Sequence, residues 1–307
     1  QAHIPFENRL QRLYPHALPK ADGGKNLYCG QRIDVSNHTE LVIVSESTNI
    51  SLCVKSTMSK DPNTYSDMFR VEKGSSLTLG DNEKNGKHGV ILDGRGTAHM
   101  GRLVCVEVGG SLNIYPGTEI KNNNSMDGRG SGIINKGTMM MYGGTISGNK
   151  FATTEKNFQE VNLKDDDDKT YCHGGGLRND GNCTIKDGTI SGNTAATGGG
   201  IYTTGPDYES DQKEAVLKIT KCKIENNKAL GTDRGTGGGI VVGSYMGSYY
   251  DKTLKKNVPY VKNGGTLIID GGGNNEVHIS GNTAGNRNFG VAGGIMNNGY
   301  AEIKNCI

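Results

Sequence analysis

Apolar residues recur along this chain in short alternating runs and never in long blocks. Runs of the form Gly-x-apolar-x-apolar stand at 74–79 (GSSLTL), 109–114 (GGSLNI), 137–141 (GTMMM), 181–185 (GNCTI), 264–269 (GGTLII) and 299–303 (GYAEI), and 215–219 (AVLKI) keeps the same rhythm. Period-two alternation over a few residues, bounded by Gly and Asn, predicts short β-strands with one buried face. A helical repeat would need a period near 3.6 and longer segments.

Two further patterns accompany each run in a fixed order. Downstream lies an isoleucine followed three residues later by asparagine, at Ile120/Asn123, Ile146/Asn149, Ile190/Asn193, Ile224/Asn227 and Ile279/Asn282; three copies read ISGN in full. Then comes a glycine cluster closed by one apolar residue, ending at Ile133, Leu177, Ile201, Ile240 and Ile295. Leu177 and Ile201 lie 24 residues apart, which is the bare repeat, and the longer intervals of 44, 39 and 55 contain inserted polar segments. Three short strands in about 24 residues make one turn of a solenoid. The predicted fold is therefore all-β, a right-handed parallel β-helix.

That architecture requires equivalent positions to stack at about 4.8 Å intervals with inward positions apolar. Two ladders meet the requirement: Leu77, Leu112, Met139, Cys183, Leu217, Leu267 and Ala301, and Leu79, Ile114, Met141, Ile185, Ile219, Ile269 and Ile303. Every position is apolar in a chain only 33% hydrophobic. The isoleucines of the Ile–Asn motif form a second wall, and the residues closing the glycine clusters form a third. Asn123, Asn149, Asn193, Asn227 and Asn282 are expected to form a structural ladder, each side-chain amide bonded to the next and the residue itself taking the αL corner.

Composition changes this picture little. The 48 glycines and absent Trp of the 307-residue chain suit a narrow solenoid core. A formal net charge of +2 gives no electrostatic footprint for nucleic acid. No apolar run nears the roughly 18 residues of a transmembrane helix. Seven cysteines cannot all pair internally. Cys105 and Cys183 read as buried free thiols, Cys29 with Cys53 is a candidate disulfide, and no spacing points to a zinc site or another metal or cofactor.

Residues 1–30 lack the repeat, and Leu10, Leu13, Tyr14 and Leu18 within them fit a short amphipathic helix, read as an N-terminal cap on the apolar end of the solenoid. Residues 31–307 form the β-helix, with insertions near 150–173, 203–214 and 243–263. The sequence stops inside a coil, so the chain is expected to be part of a longer surface protein.

The string GGTLxIxxGxISGN followed by GGGI resembles the repeats of large bacterial surface proteins with a right-handed β-helix, in the broad group of pectate-lyase-like folds and adhesin-type proteins. The resemblance covers about residues 74–307. It implies a secreted or cell-surface location and an adhesive or display role, with a host surface protein or glycan as partner.

Function on such a rod belongs in the inserts. Those near 203–214 and 243–263 leave the same corner on consecutive coils. With the adjoining strand ends they carry Tyr202, Tyr208, Tyr245, Tyr249, Tyr250 and Tyr260, the candidate ligand-binding residues. Tyrosine offers flat apolar area with a hydroxyl, which suits sugars or a protein partner, or simple packing of loops onto the rod. The third insert contains the acidic run Asp165 to Asp168, whose adjacent side chains do not converge as a calcium loop requires.

Two alternatives remain. One is a carbohydrate-active enzyme, a polysaccharide lyase or glycoside hydrolase on the same fold; it needs convergent carboxylates or a base. Asp187 and Asp270 read as turn formers, and His173 is a possible base without an identifiable partner. No catalytic residue is assigned. The other alternative is a passive structural stalk.

Overall fold

The computed structural model describes residues 26–29, 31–44, 51–55, 67–82, 89–99, 101–126, 130–151, 173–205, 215–230, 237–243, 246–251, 256–261, 264–274, 276–285 and 291–307. Within them the chain is a parallel β-helix. Three stacks of eight strands run the length of the solenoid, beside a fourth stack of six and one separate two-stranded hairpin.

The first wall runs from Glu40–Ile43 through Ser111–Ile114 and Asn182–Ile185 to Tyr300–Lys304, and its register joins the two apolar ladders residue for residue. It also extends them upstream, since Leu41 and Ile43 pair with Leu77 and Leu79. The ladder residues are buried as far as Leu267 and Ile269, whereas Ile303 in the last coil is 46% exposed because no strand stacks beyond it. The second wall aligns Ile120, Ile146, Ile190, Ile224 and Ile279. The third aligns Ile133, Leu177, Ile201, Ile240 and Ile295, and continues upstream through Val104, Phe69 and Ile33. One contiguous core fills the space between the walls.

The coil differs from a three-strand turn in one respect. After the Asn corner a two-residue strand forms a fourth, narrow sheet, from Ala98–His99 through Lys150–Phe151 to Thr283–Ala284. Its buried residues share no common character, His99, Ser125, Phe151, Ala195 and Ala229 among them, so hydrophobic periodicity does not reveal it. The regular stack also starts ahead of residue 31, because Asn26–Cys29 already pairs with Ser51–Val54. Residues 1–25, read as a helical cap, lie outside the described residues.

The asparagine ladder is continuous and polar in its direction. The Nδ2 groups of Asn149, Asn193 and Asn227 each donate to the Oδ1 of the next ladder residue at 3.0 Å. The same oxygens also accept the backbone N–H of the preceding ladder residue at 3.0 Å, and each Nδ2 donates as well to the isoleucine carbonyl of the coil before. A fully buried amide thereby meets its hydrogen-bonding capacity. The αL corner is not made by the ladder residue itself. The residue before it takes that conformation: Asn122 and Asn226 (φ 56°), Gly148 and Gly192 (φ 64°) and Gly281 (φ 62°). The ISGN motif is thus a strand, an αL hinge and a buried amide in succession.

The glycine cluster packs against this ladder. A Cβ on Gly200 would stand 2.6 Å from the Gly239 carbonyl oxygen and 3.0 Å from Asn227 Nδ2, and Gly176 meets Asn193 in the same way. The two motifs recur together because one makes room for the other.

Six cysteines are free thiols, and all but Cys306 are buried. Cys29 and Cys53 do not form the disulfide considered from the sequence. Cys29 is registered opposite Val54 and Cys53 opposite Tyr28, so the two side chains point to opposite faces of the second wall. Cys172 lies outside the described residues.

Candidate functional site

The three walls differ on their outer faces. The first and second expose Ser, Thr, Asn and charged residues, as in the strands Ser111–Ile114 and Thr189–Ser191 with their intermediate outward positions. The third is buried on both sides through its middle coils, where outward Cys105, Ile134, Arg178, Tyr202 and Val241 are at most 9% exposed. Both sets of long insertions border this wall. Residues 152–172 enter it after Lys150–Phe151, while 206–214 and the segment after Gly243 leave it on consecutive coils, where Thr204 pairs with Gly243.

The last of these segments contains an antiparallel hairpin, Met246–Asp251 with Lys256–Val261. Tyr249 is registered opposite Val258, Tyr250 opposite Asn257, and Tyr260 opposite Gly247. This hairpin belongs to none of the four parallel stacks. Tyr208 and Tyr245 lie outside the described residues. Tyr202 stands in the strand Ile201–Thr204, 9% exposed, with its ring stacked on His173 at 4.2 Å and 13°.

That stack assigns His173 a packing partner that the sequence alone did not identify. His173 is half-buried, and burial followed by the Arg178 charge holds its pKa well below its ordinary 6.5. Arg178 in turn donates through Nε to both carboxylate oxygens of Asp180 at 2.9 Å. Farther along the same wall Glu107 accepts from Lys136 at 3.0 Å and pairs with Arg70 at 2.7 Å. Burial tends to raise its pKa, but those two cations hold it below the usual range. The Cys105 thiol beside it is pushed up to about 12, chiefly by burial, which makes it a poor nucleophile.

Two groups near the start of this wall escaped sequence reasoning. Buried Arg102 donates its backbone N–H and its Nη1 to Asp67 Oδ1 at 3.0 and 3.2 Å, closing the corner across neighbouring coils. A second amide ladder runs along its inner edge, from Asn135 Nδ2 to Asn179 Oδ1 at 2.8 Å and from Asn179 Nδ2 to Thr203 Oγ1 at 3.0 Å. The ion pair rests on isolated residues and carries no periodic signal, whereas the amides sit in an apolar-x-Asn-x-Gly pattern, at Asn135, Asn179 and Asn297, that follows the glycine cluster and was there to be read.

The carboxylates weighed for catalysis are engaged locally. Asp187 accepts the Gly188 N–H at 2.7 Å and faces Lys221 at 3.0 Å, with Glu276 on the other side of that ammonium at 3.9 Å. Asp270 accepts from Asn305 at 2.8 Å and Gly272 at 3.1 Å, bonds that hold its pKa down. Among the described residues no three His, Cys, Asp or Glu side chains converge on a metal position, and no helix is long and apolar enough to cross a membrane. Compared with protein families, curated proteins and solved structures, the chain matches none.

Proposed function

We propose that this protein is a rigid extracellular scaffold, secreted or held at a bacterial cell surface, that binds a host surface protein or glycan through loops set on one corner of the rod. The hairpin Met246–Asp251/Lys256–Val261 carries this reading. It contributes to none of the parallel stacks, the strand end before it pairs with the strand end before residues 206–214 (Gly243 with Thr204), and the two segments together bear five tyrosines. Ordering such a segment costs about 1–2 kcal/mol per residue of backbone entropy, and it adds no strand to the parallel stacks. A contact surface gives that cost a purpose, and tyrosine supplies rigid amphipathic area for one.

The test is retention of the purified chain on immobilised glycans and on cell monolayers, with Tyr249→Ala/Tyr250→Ala alongside. The expected result is saturable retention by the native chain, lost in the double variant while its thermal midpoint stays within a few degrees. Equal retention by both would remove the hairpin from the binding surface.

A further inference from the structure

A groove lies at the corner between the second wall and the fourth sheet, on coils that precede the hairpin. It is an open depression of about 490 Å³, lined among the described residues by Asp93, Arg95, Gly96, Asn122, Gly148 and Lys150. Register explains its shape. Asp93 pairs with Lys121 and Ala98 with Asn124, so residues 94–97 occupy the stretch that 122–123 occupy in the next coil. The longer corner stands out as a wall above a floor formed by Asn122 and the side-chain-free Gly148.

The wall is rigid. Gly94 N–H donates to Lys121 O and Gly96 N–H to Asn122 O, both at 2.8 Å, and Asn124 Nδ2 donates to Gly96 O at 3.0 Å. Arg95 sits at φ 53°, a conformation rarely adopted by residues with a branched or long side chain. It is held there by its N–H, which donates to Asp93 Oδ1 at 2.7 Å, and by its guanidinium, which lies over the Tyr28 ring at 5.6 Å. Strain maintained at an exposed turn is a reason to look for a ligand.

The lining chemistry selects the class. Asp93 Oδ1 receives Arg95 N–H and, at 3.2 Å, Asn122 Nδ2. Among the described residues its Oδ2 and the ammonium of Lys150 have no partner. The Arg95 cation is turned toward Tyr28 and Cys53 on the preceding coils. Among the described residues the groove therefore presents one carboxylate acceptor and one ammonium donor over a polar floor with no aromatic lining. An anion meets Asp93, a cation meets Lys150, and an apolar ligand finds nothing to cover. Adjacent hydroxyl groups, each both donor and acceptor, satisfy the two charges together.

We propose that this groove is a binding subsite for a neutral saccharide, independent of the hairpin. With no aromatic platform among the described lining residues, its affinity for a single sugar unit is on the order of 1 mM.

The test is titration of the full chain with methyl glycosides of glucose, galactose, mannose and N-acetylglucosamine, followed by saturation-transfer NMR. Asp93→Asn keeps the acceptor that holds the turn while removing the charge, and Lys150→Ala leaves the backbone unchanged. At least one glycoside should saturate the native chain, bind about tenfold more weakly to each variant, and bind unchanged to Tyr249→Ala/Tyr250→Ala. The last comparison separates this site from the hairpin. No saturation with any of the four, or saturation that neither variant weakens, would overturn the proposal. So would tighter, salt-sensitive binding of methyl galacturonate than of methyl galactoside, which would mark an anion site.

Discussion

The corner at Asn149, Asn193 and Asn227 and the corner at Gly94–Gly96 join the same two sheets with opposite materials. The first is a column of fully buried amides, each satisfying its neighbours. The second is an exposed turn, longer in register, with an acidic residue and a strained arginine at its rim. Where the corner closes inward, one solution to burying polar groups is repeated and the motif is periodic. Where it opens outward, that constraint is lifted and side chains are free to face a ligand.

The largest expected effect lies in the N-terminal coils, which close a polar interior with an ion pair instead of an amide ladder. Asp67→Ala strands buried Arg102 beside its lost partner and should cost about 3–5 kcal/mol in urea unfolding. A cost under about 1 kcal/mol would show that the pair is not structural.

Removing one rung of the ladder should come next. Asn193→Ala withdraws the acceptor of the Asn149 N–H and Nδ2 and the donor to Ile146 O. With about 1–3 kcal/mol for each buried group left unpaired, we expect about 3 kcal/mol by the same method. Asn123→Ala should cost less, since Asn123 Oδ1 at the head of the ladder has no hydrogen-bond partner.

A pair of glycine substitutions sharpens the contrast further. Gly200→Ala drives a Cβ into the Gly239 carbonyl and the ladder amide and should cost about 2 kcal/mol, as overpacking does. Gly96→Ala meets no atom within 4 Å, so only its φ of 68° is penalised, at about 1 kcal/mol. Equal losses in thermal midpoint would erase the distinction between a closed and an open corner.

Proton linkage is the gentlest probe. His99 and His173 are held below 6.5, in both cases first by burial. Their neutral forms therefore contribute stability that is fully present above pH 6.5 and lost as pH falls through the folded pKa values. Cys29 and Cys183, raised by burial from 9.0 to about 12, contribute stability present below pH 9 and lost as pH rises from there toward 12. A stability plateau between roughly pH 7 and 9, falling on both sides, is the expected profile in thermal scans.

Walls and register were legible in the sequence because burial imposes a period there. Leu77 to Ala301 and Ile120 to Ile279 could be aligned without coordinates, since each wall has one apolar position that must face inward in every coil. The fourth sheet was not legible, because His99, Ser125 and Ala195 share no common chemistry beyond fitting a narrow corner. The place of the αL hinge was misread by one residue, since Asn and Gly are interchangeable there and the neighbouring Asn looks the same in sequence. On the third wall, Tyr202 was legible as a strand-end aromatic, but its stack on His173 was not, because the two residues lie 29 positions apart, off the 24-residue repeat. The groove at Asp93 depends on a register difference between two coils that show no shared motif, so only the pairing of strands exposes it.

The most direct test of the account is excision of the hairpin, with residues 247–260 replaced by a short Gly-Ser link, and comparison with the native chain on a glycan array and on cell monolayers. The account predicts an unchanged strand spectrum and thermal midpoint together with loss of the saturable retention shown by the native chain. Retention that survives excision undiminished, or a rod that unfolds without its hairpin, would contradict it.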